Sequence, residues 1–312
     1  MRIFVTGGSG YIGRGVLRAL AKAGHRMIGL ARSDGAAKVL RKLGADVVLG
    51  DLAEPERWRS QVRGHDAALH LAMVQGKAAA EIDWRTVEVL LKEALSDRGP
   101  SHVIYTSGVM VLGDTGNAAA GEEARTSSAA VAVAWRPAVE RSVLEAATGR
   151  LVTAVVRPGM VYGGAAGLVA AFFETAAQGG ASMVVGDGLN RWAPVHRSDL
   201  AALYLRLLEA GAGGIYHAVE ERSERVLDIA RRASELAGAK GAVNLLPLED
   251  ARAAMGPFAD ALCLDQVVAA ERSSALGWRP SRRILAGGLE EAFEEWKKRK
   301  EEVTERDRSP AP

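Results

Sequence analysis

The sequence predicts an α/β protein, a doubly wound parallel sheet followed by a smaller C-terminal region, and three observations carry that reading. Short β-branched runs alternate with helical patterns through the first half. A glycine-rich turn, TGGSGYIG, stands between the first of these runs and the first helix. After about residue 160 the alternation loosens into helices and strands separated by the turns GGAAG, GDG and GAGG. Strand and helix in alternation make right-handed βαβ units, whose sheet is covered on both faces.

The elements follow in order. RIFVT is the first strand and YIGRGVLRALAKAG the helix after it; HRMIGLA, AAKVLRKLG, ADVVLG and AALHLA continue the pattern. Asp34 is expected to cap AAKVLRKLG. A long helix through TVEVLLKEAL precedes the strand HVIYTS, and RLVTAVVRPG is the last strand of the set, ending at Pro158. Between those two strands, AAVAVAWRPAVERSVL suits a buried helix, yet Trp135, Arg136 and Pro137 interrupt it. Proline inside a helix removes a donor and clashes with the preceding turn, so Pro137 belongs at a kink or in a first turn. Long helices are thus expected near residues 84–96 and 130–147. Residues 1–160 form one region and 161–312 a smaller one; no polar linker separates them, so they share an interface with some interleaving.

Composition narrows the function classes. The 312 residues carry 40 basic and 38 acidic side chains, a net charge of +2, which favours neither nucleic acid nor an anionic membrane. No apolar run approaches the length of a membrane span, and MRIFVTGG has no signal pattern, so a cytoplasmic protein is expected. The single cysteine, Cys263, rules out an internal disulfide and a cysteine-built zinc site; no metal is expected, and DALCLDQVV places the thiol in packing. EEWKKRKEEVTERDR alternates in sign and is expected to be a solvated helix end with a frayed tail.

The glycine turn points to a dinucleotide. Gly7 closes the turn, Gly10 lets backbone approach a pyrophosphate, and Gly13 lets helix pack on strand; Gly8, Ser9, Tyr11 and Ile12 complete the cradle, with phosphates at the helix N-terminus. An NAD site wants a carboxylate at the tip of the second strand. Here Leu30 and Ala31 are followed by Arg32 and Ser33, a planar cation and a hydroxyl suited to a 2′-phosphate, which favours NADP (NADPH) over NAD.

These residues, with GDL at 50–52, HLA at 70–72, YTSGVMVLGD, RPGMVYG and WAPVHRSDLA, resemble the extended short-chain dehydrogenase/reductase family, which includes the NAD-dependent epimerases and dehydratases. The matches fall in family order from residue 1 to about 205. The resemblance implies a Rossmann domain and a substrate-binding cap. It also implies that Asp51 and Leu52 flank the adenine, that Leu71 and Ala72 line the cofactor path, and that Pro158 and Gly159 lie near the nicotinamide carboxamide.

The family's chemistry uses a tyrosine, a lysine four residues later and a serine or threonine that orients the substrate oxygen. Anchored on Glu140, that pattern puts Arg136 at the lysine and Ala132 at the tyrosine, and none of the five tyrosines has lysine four residues on. The hydroxyl position falls on Gly108, with Ser107 one residue early. Arg136 can keep the lysine's hold on the nicotinamide ribose but cannot share protons. Trp135 then walls the nicotinamide or fills core. Substitute proton sources are Tyr162, placed first, His196, Lys77 and Gln75, and Ser107, with water or the substrate's own hydroxyl as a further source.

The sequence thus predicts an NADP(H)-dependent oxidoreductase acting on a small-molecule ketone or quinone-like carbonyl, as a monomer or homodimer, with Tyr162, Ser107 and Arg136 as the catalytic candidates. Two alternatives stand beside it. One is a sugar-nucleotide epimerase or dehydratase, for which Arg191 and Arg197 are the candidate diphosphate contacts. The other is a non-catalytic NADP-binding regulator or subunit.

Overall fold

The computed structural model describes residues 1–308. In chain order the principal elements are β1 (Arg2–Thr6), α1 (Tyr11–Lys22), β2 (Arg26–Ala31), α2 (Asp34–Lys42), β3 (Ala45–Leu49), β4 (Ala67–His70), α3 (Ala79–Ala94), β5 (His102–Thr106), α4 (Arg136–Glu145) and β6 (Val152–Pro158). There follow β7 (Met160–Tyr162), α5 (Leu168–Gly179), β8 (Ser182–Val185), β9 (Arg191–Trp192), β10 (Pro194–His196), α6 (Arg197–Ala210), β11 (Gly214–Ala218), β12 (Glu224–Arg225) and α7 (Val226–Leu236). The chain closes with β13 (Val243–Leu246), α8 (Leu248–Met255), α9 (Phe258–Leu262), α10 (Glu271–Ala275) and α11 (Leu289–Arg308).

Seven strands make one parallel sheet in the order β11-β6-β5-β4-β1-β2-β3. The chain winds outward from β1 to β3 and then returns to β4 on the other side of β1. That reversal opens a crevice at the carboxyl ends of β1 and β4, the place where such sheets take ligands. Side chains alternate across the sheet. Ile3 and Val5 lie in the core with Leu17, Leu40, Leu200 and Leu203 on the α1, α2 and α6 face, while Phe4 packs with Val87, Leu90, Val139 and Val143 under α3 and α4.

The Rossmann architecture matches the expectation, with differences at particular residues. Ser33, not Asp34, caps α2, its Oγ accepting from Ala36 N at 3.3 Å; Asp34 is the first helical residue instead. The helix expected over 130–147 begins only at Arg136, after a short 3₁₀ turn at Val131–Val133, so Pro137 sits in its first turn, where its missing donor costs nothing. The sheet takes its edge strand, β11, from beyond residue 160, and α6 packs beside α1 in the same core. The remaining C-terminal elements pack around Phe173, Trp192, Ile229 and Trp296. The charged C-terminal run is more than a solvated end: its Trp296 packs on Phe173 at 5.8 Å, as does Phe293 just before it at 5.2 Å. Where a frayed tail is expected within this run, α11 continues to Arg308. Cys263 is half-buried just past α9, and burial pushes its thiol up. Among the described residues no helix is long and apolar enough to cross a membrane.

Candidate functional site

The turn between β1 and α1 is pressed onto the end of β4. Gly7 has φ +72°, and a Cβ there would lie 2.4 Å from Ala72 N; one on Gly13 would lie 2.1 Å from Gly7 O. Only glycine allows both approaches. Gly10 is exposed, and a Cβ on it would meet only Gly7 O, at 3.1 Å. Helix α1 has no side-chain cap, so its first-turn N–H groups open toward the crevice and suit a phosphate. Gly8 packs over Leu17 and Leu40, Ser9 O accepts from Arg14 Nε at 2.7 Å, and Ile12 packs against the α1 core. Tyr11 contributes backbone alone to this mouth, because its hydroxyl donates to Gly163 O at 2.7 Å under the Arg197 guanidinium.

At the tip of β2, Arg32 is exposed and has no hydrogen-bond or ion-pair partner among the described residues. Ser33 beside it uses its oxygen to cap α2 and keeps its hydroxyl proton for another acceptor. Asp51 is exposed; its Oδ1 accepts from Ala53 N at 2.9 Å and its carbonyl from Trp58 Nε1 at 2.8 Å. Leu52, Ala72, Val74, Ile82 and Trp135 line a small cleft in front of β4, with half-buried Leu71 next to it.

Below that cleft lies a buried polar network. Thr6 Oγ1 meets His70 Nδ1 at 2.5 Å and His70 Nε2 meets Asp83 Oδ1 at 3.0 Å. Tyr105 and Trp135 both donate to Asp83 Oδ2, at 2.6 and 2.8 Å. Burial acts to raise the Asp83 carboxyl, but the bonds from His70, Tyr105 and Trp135 hold it below its ordinary range. Trp135 is thus a tether between the start of α4 and α3.

The next residue, Arg136, is buried at 6 % exposure. Its Nη1 lies 3.4 Å from Thr106 O, and its Nε has no partner. Ser107 is buried with an unpartnered hydroxyl. A Cβ on Gly108 would lie 3.8 Å from Pro158 O and 3.9 Å from Arg136 Nη1, so the recess between them has room for an added atom. Gly159, by contrast, is closed in: a Cβ there would lie 1.9 Å from Ala193 O. Ser107, just after β5, and Arg136, at the start of α4, therefore carry unsatisfied donors near half-buried Gly108.

A second buried network supports α4 from behind. Glu140 takes Arg157 Nη2 at 2.6 Å and Nε at 3.1 and 3.2 Å. Arg157 Nη1 also approaches His217 Nε2 at 3.4 Å, and His217 N donates to Glu122 Oε1 at 3.3 Å. Burial pushes His217 down to about 4, so it is neutral near pH 7. Sequence reasoning used Glu140 only as an alignment anchor; the buried arginine of RPGMVYG was the available signal for its partner.

Tyr162 does not reach the recess. Its ring is fully buried in the cap core, its hydroxyl donates to Glu220 Oε1 at 2.7 Å, and a Cβ on Gly288 would lie 2.4 Å from it. Burial beside the Glu220 carboxylate drives the phenol up. His196 caps α6 through Nδ1, at 3.3 Å from Ser198 N, and burial lowers it. Its Nε2 lies against Gly163. His196, Glu291 and Glu295 offer ligand atoms within 4.8 Å of one another, but Arg282 holds Glu291 at 2.7 and 2.8 Å and Gly164 N donates to Glu295. Gln75 and Lys77 are exposed on the loop after β4.

Residues 3–219 match the NAD dependent epimerase/dehydratase family. The chain belongs to that family. It is 32% identical over 290 residues to an uncharacterized protein of Saccharomyces cerevisiae, covering 90% of this chain and 95% of that one. It is 28% identical over 262 residues to a 4-hydroxy-2-methyl-3-oxo-4-farnesyl-3,4-dihydroquinoline-1-oxide ketoreductase of Stigmatella aurantiaca, covering 81% and 78%. Among solved structures, the dTDP-glucose 4,6-dehydratase of Bacillus anthracis in complex with NAD superposes with a TM-score of 0.83 at 18% identity, covering 96% of this chain and 98% of that one. The human epimerase family protein SDR39U1 with NADPH gives 0.76 at 22%, covering 94% and 99%.

In this epimerase/dehydratase-family chain the two arginines expected as diphosphate contacts are engaged in the fold. Arg191 binds Asp265 at 2.5 and 2.8 Å and reaches Gly116 O at 3.0 Å, stapling β9 to the loop after β5. Arg197 lies over Tyr11 and pairs with Glu295 at 3.6 Å.

Proposed function

We propose that this protein is an NADP(H)-dependent reductase of small-molecule ketones, working without a dedicated tyrosine proton donor. The observation that carries the reading is the row of unsatisfied donors along one crevice. It runs from the unpaired Arg32, past the uncapped start of α1, to Ser107 and Arg136 at the end of β5. The glycine cradle, the start of α1 and Arg32 fit a dinucleotide with a 2′-phosphate, and Ser107 and Arg136 fit its substrate. Support for a ketone substrate comes from the similarity to a ketoreductase, and the engaged Arg191 and Arg197 speak against a nucleotide sugar.

Bound in this crevice, the cofactor would supply the hydride; the first turn of α1 would hold its pyrophosphate and Arg32 its 2′-phosphate. The Ser107 hydroxyl donates to the substrate carbonyl oxygen, and the proton that completes the alcohol comes from water. Arg136 lends position and field, not a proton.

The test is a fluorescence titration with NADPH and NADH, followed by NADPH oxidation with a panel of ketones, quinones and nucleotide sugars. NADPH preference with turnover of ketones is expected. Tight NADPH binding with no turnover of any compound would make the protein a cofactor-binding regulator, and equal affinity for the two cofactors would remove the assigned role of Arg32.

A further inference from the structure

The guanidinium of Arg136 is a buried charge without a counterion. Among the described residues no carboxylate forms an ion pair with it, and Glu140 and Asp83 of the networks above are committed elsewhere. Glu140, one turn along the same helix, is held by three contacts from Arg157, and Asp83 by His70, Tyr105 and Trp135. One long contact to Thr106 O uses a single N–H of five, and Nε has none. Burying an ion costs several kcal/mol unless a partner of opposite charge repays it. Ribose hydroxyls would accept hydrogen bonds from Arg136 but bring no charge. The missing partner is therefore anionic, and the space that admits it is the recess at Gly108, where an added carbon would lie 3.9 Å from Nη1. Ser107, with its unpartnered hydroxyl, adjoins that space in sequence.

We propose that Arg136 is the receptor for a carboxylate on the substrate, so that the ketones reduced here are oxo acids. This rests on the reductase reading above. A planar fork of N–H groups pairs with a carboxylate through two parallel bonds and sets its orientation. With the carboxylate on Arg136, the neighbouring carbonyl oxygen falls to the Ser107 hydroxyl. NADPH would supply the hydride to the carbonyl carbon and be oxidised to NADP⁺; the oxygen would take a proton from water, leaving hydroxide, while Arg136 holds the carboxylate in place.

Butyrate and butyramide, which differ in charge but little in size, separate this from simple filling of the recess. Each is titrated calorimetrically into the native protein saturated with NADP⁺. Butyrate should bind at least about tenfold more tightly than butyramide, the preference should vanish in Arg136→Gln, and Arg136→Lys should keep part of it, since lysine retains the charge without the fork. In turnover, acetoacetate should have a KM at least about tenfold below that of methyl acetoacetate. Equal binding of acid and amide by the native protein overturns the proposal, with no variant needed, and so does a preference that survives in a folded Arg136→Gln. The two readings fail separately. Arg136-dependent butyrate binding without reduction of any ketone would remove the reductase and leave the anion receptor, while reduction of neutral ketones without acid preference would do the reverse.

Discussion

The indole Nε1 of Trp135 donates to Asp83 Oδ2 at 2.8 Å, which pins the residue before Arg136 to helix α3. The chain enters α4 from this tether, so the direction of the Arg136 side chain depends on it. Trp135→Phe keeps a ring in place but removes the donor; Asp83 retains Tyr105 and His70. The variant should lose about 1.5–3 kcal/mol of stability, the scale of one hydrogen bond to a charged group. Butyrate should bind the NADP⁺-saturated variant more weakly as Arg136 loosens. Thermal melts and a calorimetric titration measure the two effects, and an unchanged melting temperature would show that the tether contributes nothing.

Arg32 stands exposed and unpaired where an NAD site would carry a carboxylate. Arg32→Ala should weaken NADPH binding by about 1.5–3 kcal/mol and leave NADH binding nearly unchanged. Parallel titrations of the two cofactors decide it. Equal losses for both would mean that Arg32 supports the fold of the β2 tip instead of reading a phosphate.

The glycines of this crevice should respond in opposite ways. Gly108→Ser places its Cβ no nearer than 3.8 Å to any neighbour and should fold with a stability within about 1 kcal/mol of the native protein. Gly13→Ala drives its Cβ to 2.1 Å from Gly7 O, which forces the start of α1 away from the turn. It should cost more than about 2 kcal/mol and abolish tight NADPH binding. A stable, cofactor-binding Gly13→Ala variant would refute the close packing of this turn.

What was legible in the sequence was local. The strands of the first half and the glycine turn follow from periodicity and from positions where only glycine fits. Boundaries slipped where neighbouring residues compete for one task, as Ser33 and Asp34 do at the cap of α2. The polar partners were not legible, because Trp135 finds Asp83, Arg157 finds Glu140, and Tyr162 finds Glu220 only after distant segments pack. Tyr162 shows what motif position leaves open. Its segment does follow β6, but as β7 it pairs with β10 and turns the ring into the cap core.

Glu220 gives the fold a pH dependence of definite sign. Burial pushes its carboxyl up to about 7, despite bonds from Ile284 N and the Tyr162 hydroxyl. The folded state therefore binds a proton more tightly than the unfolded state, whose carboxyl titrates near the ordinary 4.5. Its stabilisation is complete below the unfolded value and is lost as pH rises toward about 7, by on the order of 3 kcal/mol. Glu220→Gln mimics the protonated form and removes that slope. Relative to the native protein, the variant should gain stability between pH 5 and pH 8 in urea melts. A difference that stays constant with pH would show that Glu220 is ionised throughout.

The same carboxyl decides what Tyr162 does. A proton donor must reach the substrate, and the Tyr162 hydroxyl faces Glu220 in a closed core with Gly288 packed against it. Tyr162→Phe leaves the ring contacts with His196 intact and deletes one donor to Glu220 Oε1. The cost should fall on stability, about 1–3 kcal/mol, because a buried acceptor loses its partner. It should be larger above pH 7, where Glu220 is charged, than at pH 5. Turnover per folded molecule should stay within about threefold of native, since no transition-state contact is removed. The decisive measurement is kcat/KM for a reduced ketone beside a urea melt at the same pH. A tenfold or greater loss of kcat/KM with unchanged stability would return Tyr162 to the reacting site and require the cap to open around it.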